Sequence, residues 1–218
     1  MDVFVDDKRV DETFVGDGAI EDALRHVQSN LCAPDHLVVG IRCDGQDITG
    51  DTMVTTLRKC ASSFGRLDVF TGARETLVTE AMDQASACLT DTADACQRVA
   101  ELFTEGKTVE AAEQLGECLN VWQQIHEAVA KSLEMLQLDP EKITINDEPM
   151  IELIRRPKET LLQVRDALRI QDYVMLADIL QYEFREVTEL WHAIIAKLRE
   201  EGKKGDKNRW VHRTHPTP

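Results

Sequence analysis

Two stretches of this chain carry a seam with strict 4-3-4-3 spacing, and that spacing limits the fold more than any other feature. The first is Thr108, Ala112, Leu115, Leu119, Trp122, His126, Val129 and Leu133. The second is Tyr173, Ala177, Leu180, Phe184, Val187, Trp191, Ile194 and Leu198. A seam recurring every 3.5 residues is the signature of long helices packed knobs-into-holes. The two runs match at an offset of 65 residues, and the match continues upstream, with Cys96 on Leu161, Val99 on Val164 and Phe103 on Leu168. The short breaks at Gly106 and Gln171 share the offset. An internal duplication of an αα-hairpin is expected, with helices over Glu75–Thr104, Thr108–Leu138, Glu148–Ile170 and Tyr173–Glu201. Neither hairpin buries its apolar face alone, so the pair predicts an antiparallel four-helix bundle over residues 73–201. Pro140 ends the second helix, Ile143–Ile145 is extended, and Pro157 kinks or restarts the third helix.

Residues 1–72 have a different period. Asp2–Asp6 and Arg9–Val15 alternate like strands around an Asp7-Lys8 turn, and Ala19–Leu31 has helical spacing. Leu37–Cys43 is the strongest strand, followed by an Asp44-Gly45 turn and a return over Gln46–Ile48. Thr52–Cys60 reads as a short helix and Arg66–Thr71 as a closing strand. This order resembles the β-grasp, or ubiquitin-like, fold, in which a mixed sheet grips one helix. No C-terminal di-glycine follows the last strand, so the resemblance does not imply conjugation. The expected class is therefore α+β, a β-grasp-like domain over 1–72 and a four-helix bundle. The run Asp172–Glu183 is similar to an uncharacterised family of acidic bacterial proteins with Leu-rich helical hairpins, which implies a bundle and no chemistry.

The formal net charge is −15, from 40 Asp+Glu against 25 Lys+Arg. An acidic surface repels phosphate backbones and anionic bilayers, so neither nucleic acid nor membrane is an expected partner. It suits solubility or a basic partner. The N-terminus lacks the basic and apolar regions of a signal peptide, no apolar run approaches membrane-spanning length, and six cysteines show no metal-ligand spacing. Reduced thiols in the cytoplasm are the expectation.

No nucleophile elbow, P-loop or dinucleotide fingerprint is present. Glu189–His192 is an ExxH of the kind used in di-iron bundles, but the other hairpin carries Gln123 where a ligand Glu is needed ahead of His126, and His126 aligns with Trp191 and not His192, so no metal, cofactor or catalytic residue is assigned. His126 aligns with Trp191 and is expected to face the interior, with partner contact as the alternative role. Residues 202–218, GKKGDKNRWVHRTHPTP, carry five Lys+Arg and one Asp and are expected to be a flexible basic tail. Within it Trp210 and Val211, flanked by Arg209 and Arg213, form a candidate recognition element. The expected function is a non-enzymatic interaction module, adaptor or chaperone-like, for a protein partner. A self-assembling homo-oligomer and a metal-binding or enzymatic bundle are the alternatives.

Overall fold

In the computed structural model the described residues are 1–10 and 18–213, without the side chains of residues 51 and 205–213. The chain divides into two compact units, Met1–Arg74 and Glu75–Pro218, two residues beyond the boundary expected near Gly72.

The first unit holds a five-stranded mixed sheet ordered β2-β1-β5-β3-β4. β1 (Asp2–Val5) turns into β2 (Lys8–Arg9) through Asp6 and Asp7, both left-handed with φ of 47° and 64°. Two consecutive left-handed residues give the turn twist that suits an antiparallel hairpin. The turn lies one residue before the expected one, and residues 11–17 of the expected second strand fall outside the described residues. α1 (Ile20–His26) runs on into a wider turn, Val27–Leu31, in which the Cys32 N–H donates to the Val27 carbonyl. β3 (His36–Cys43) and β4 (Gln46–Asp47) flank the expected Asp44-Gly45 turn. α2 (Asp51–Leu57) precedes β5 (Arg66–Ala73), which pairs parallel with β1 and antiparallel with β3. Val3, Ile41, Cys43, Leu67 and Val69 close on Ile20, Ala23 and Val27 of the helix. Alternate sheet residues point the other way, where Arg66 lies over the Phe4 ring at 3.8 Å and Arg42 over Phe70 at 5.2 Å.

The second unit is the bundle. α3 (Arg74–Thr104) and α4 (Thr108–Met135) form one hairpin. β6 (Thr144–Ile145) and β7 (Glu148–Pro149) pair around Asn146-Asp147, again two left-handed residues. This pairing delays the third helix, expected from Glu148, to Met150. The extended segment lies on the bundle, where Ile143 and Ile145 pack against the helical core. α5 (Met150–Arg155) and α6 (Pro157–Ile170) are the third helix, divided at Pro157, which lacks the N–H that would continue the ladder. α7 (Tyr173–Asp178), a π turn (Ile179–Glu183) and α8 (Phe184–Arg213) form the fourth. The π turn is marked by the Phe184 N–H donating to the Ile179 carbonyl, five residues back. The protein is thus α+β, a β-grasp-like sheet unit followed by an antiparallel four-helix bundle.

The buried residues of each hairpin fall into level pairs. In the first, Phe103/Ala111, Val99/Leu115, Cys96/Cys118, Thr92/Trp122, Leu89/Ile125, Ala85/Val129 and Met82/Ser132 are all buried and each pair is equidistant from Lys107. Cys118 is the neighbour that, with burial, raises the Cys96 thiol pKa, in keeping with this register. In the second, Ala167/Ala177, Val164/Leu180, Thr160/Phe184, Pro157/Val187, Leu153/Trp191 and Met150/Ile194 are buried and equidistant from Asp172. Lys107 and Asp172 are 65 residues apart, the offset of the sequence match.

The two hairpins share only alternate layers. Val99/Leu115, Thr92/Trp122 and Ala85/Val129 map onto Val164/Leu180, Pro157/Val187 and Met150/Ile194 at the 65-residue offset. The intervening layers use opposite flanks: Ile125 is buried in the first hairpin, Trp191 in the second. This corrects the expectation for His126. Its duplicate Trp191 is buried, but His126 itself is exposed, beside the buried Ile125. Ala112 is likewise exposed and Leu119 half-buried, whereas the fourth helix keeps its expected seam from Ala177 to Leu198. The fourth helix runs on through Arg213 into the expected tail, of which residues 214–218 lie outside the described residues. Gly202 is buried there, and its absent side chain lets the helix approach α3: a Cβ would lie 3.0 Å from Thr79 Oγ1 and 3.3 Å from the Glu75 carbonyl.

Candidate functional site

Two grooves run along the outer faces of the hairpins. The first, about 200 Å³, lies between α3 and α4 and is lined mainly by Ala81, Ala85, Cys88, Val121, Ile125 and Ala128, with Gln84 and Gln124. The second, about 630 Å³, lies between α6 and α8. Its floor is Val187, Leu190 and Ala193, and its rim is Glu183, Glu186 and Glu189 facing Arg156, Thr160 and Gln163.

The α4 wall of the first groove and the α8 wall of the second occupy duplicated positions, whereas the α3 and α6 walls do not. At the 65-residue offset Ile125 becomes Leu190 and Ala128 becomes Ala193, so the floor is kept. Val121 becomes Glu186 and Gln124 becomes Glu189, so the rim gains two carboxylates, and Ala81 becomes Asn146. The wall shared by duplication is without charge in the first hairpin and acidic in the second. The π turn ends at Glu183, the first carboxylate of the row.

The acidic rim is largely uncompensated. Among the described residues Glu183 and Glu186 have no ion-pair partner, while Glu189 meets Arg185 at 3.4 Å in an exposed contact. The nearby cation, Arg156, is engaged by Glu148. The outer face of the β-sheet behaves differently. Arg9 pairs with Asp2, Arg42 with Asp47 and Arg66 with Asp68, so its charges are neutralised within the face.

Of the sequence-derived candidates, His126 does not line this groove. His126 is exposed, its ring tilted over the buried Trp191 at 5.4 Å. Trp191 and Trp122 meet edge-on at 5.4 Å, and Trp122 meets Phe184 at 5.8 Å. The side chains of Arg209, Trp210, Val211 and Arg213 lie outside the described residues. The ExxH pair separates: Glu189 lines the groove, whereas His192 Nδ1 lies 3.4 Å from Ser86 Oγ on α3. Among the described residues no group of three His, Cys, Asp or Glu side chains converges on a metal position. The Cys96 thiol, hydrogen-bonded to Cys118 and buried, is held above the usual thiol range and stays protonated. Glu183 and Glu186 were missed because single glutamates on a helix read as an ordinary solvated face, and Glu189 was weighed only as half of an ExxH. The signal that could have found them is the pair of charge changes at the duplicated positions 121 and 124.

A family described as Domain of unknown function (DUF8042) matches residues 80–194, just over half of the chain. The chain belongs to this family. The matched region begins within α3 and ends within α8, so it takes in both hairpins and both grooves. No curated protein and no solved structure matches the chain. No helix among the described residues is long and apolar enough to cross a membrane.

Proposed function

We propose that this chain is a non-enzymatic protein-interaction module, adaptor or chaperone-like, that engages its partner through the helical bundle. The observation that carries the reading is the α6–α8 groove. It has an apolar floor and a polar rim on which, among the described residues, Glu183 and Glu186 have no ion-pair partner, and its α8 wall duplicates the α4 wall of the smaller groove. An apolar floor between charged walls is the form of a helix-binding surface. The β-grasp-like sheet is the secondary surface, since Phe4 and Phe70 lie on its outer face beneath guanidinium groups.

Site-specific photo-crosslinking tests this. A photo-reactive residue replacing Leu190 should capture a discrete protein in cells of the source organism, and one replacing the exposed Val39 of the sheet unit should not. Equal, diffuse labelling from both positions would overturn the reading.

A further inference from the structure

We propose that the α6–α8 groove receives a cationic amphipathic helix from a partner protein. This rests on the interaction reading above and specifies the partner's chemistry. The floor of Val187, Leu190 and Ala193 supplies apolar contact of the kind a helix face makes. Glu183, Glu186 and Glu189 follow at three-residue steps along one wall. From Glu183 to Ala193 is ten residues of helix, about 15 Å, or nearly three turns. A partner helix of that length presents lysine or arginine on one face at three- and four-residue spacing, which matches this row.

Two observations favour cations over other occupants. The carboxylates are spread along the wall and converge on no metal position among the described residues, so the site suits a series of charges more than a single ion. Among the described residues the guanidinium lining the opposite wall, Arg156, is engaged by Glu148, so an acidic segment would meet three carboxylates and a cation already paired. The twin groove serves as an internal control. It keeps two floor positions, Ile125 and Ala128 for Leu190 and Ala193, but has Val121 and Gln124 in place of Glu186 and Glu189.

The test uses the full chain and two fluorescein-labelled model helices, one of Leu and Lys, the other identical except for Glu replacing Lys. Fluorescence anisotropy should show the Lys helix binding at least about tenfold tighter than the Glu helix at low salt. Raising the salt to about 0.2 M, where the Debye length falls below about 8 Å, should erase most of that preference. The triple variant E183Q/E186Q/E189Q, checked for native circular dichroism, should bind the Lys helix about tenfold more weakly, as expected for losing a few rim ion pairs. Gln124→Ala in the twin groove should leave binding unchanged. Equal binding of both helices, or unchanged Lys-helix binding by the triple variant, would overturn the proposal. So would concentration-dependent self-association that the triple variant abolishes, because the occupant would then be a second copy. Capture at position 190 is independent of peptide charge, so its success alongside a failed peptide test would leave the interaction reading standing and remove only this inference.

Discussion

Replacing Ile125 and His126 one at a time tests the layer register of the bundle, because the two neighbours have opposite predicted fates. Ile125 is 3% exposed and level with Leu89, which is fully buried. Ile125→Ala removes three carbons. At about 0.8 kcal/mol per buried carbon the transfer loss is about 2.4 kcal/mol. The unfilled space adds a cavity term, so the expected total is about 3–4 kcal/mol. His126→Ala removes an exposed ring that leans on Trp191. Its cost should stay near 1 kcal/mol or below, the scale of one ring contact. Urea unfolding followed at 222 nm reports mainly on the four long helices and gives both values from the shift in midpoint. Similar costs, or a larger cost at His126, would refute the register and restore the seam drawn through position 126.

Three further outcomes follow from particular contacts. Gly202→Leu should cost about 1–3 kcal/mol by overpacking against Thr79 and the Glu75 carbonyl, measured by thermal unfolding, whereas Lys203→Leu at the next, exposed position should change little. Burial tends to raise the Asp6 carboxyl pKa, but the Thr71 hydroxyl and N–H both donate to it and the net effect is a lowered pKa. A lowered native pKa stabilises above the unfolded value near 4 and is lost as pH falls through the native value, so Asp6→Asn should flatten the acid limb of the sheet unit's pH–stability profile. In native protein a bulky thiol reagent should modify the half-buried Cys32, Cys60 and Cys88 ahead of Cys43, Cys96 and Cys118, which should react only with unfolding; rapid native labelling of Cys96 would contradict its burial.

Much of the fold was legible because its local rules agree. The Asp44-Gly45 turn, the heptad seam of the fourth helix and the break at Pro157 each carry a direct backbone cause. The position of His126 was not legible. A 4-3 spacing fixes a helix's central row, Leu115, Trp122 and Val129, but the flanking row can lie on either side of it. Alignment with the fourth helix put Leu119 and His126 in that row, whereas the first hairpin buries Cys118 and Ile125. Which flank is buried depends on how the second hairpin packs, a tertiary fact absent from the local pattern. The β6–β7 hairpin escaped notice for a related reason: Asn146-Asp147 is a left-handed turn without glycine, flanked by strands of only two residues. The groove was hidden by its composition, since three glutamates on a helix are normally solvated and only the comparison of duplicated positions sets them apart.

The most direct test of the central claim, that the acidic groove of the second hairpin is the docking surface, is a backbone amide NMR titration of the full chain with the Lys model helix. Shift changes should concentrate at 156–163 and 183–193, with the lining of the α3–α4 groove, 81–88 and 121–128, unmoved. Changes centred on the α3–α4 groove or on the outer face of the β-sheet, with residues 183–193 silent, would contradict it.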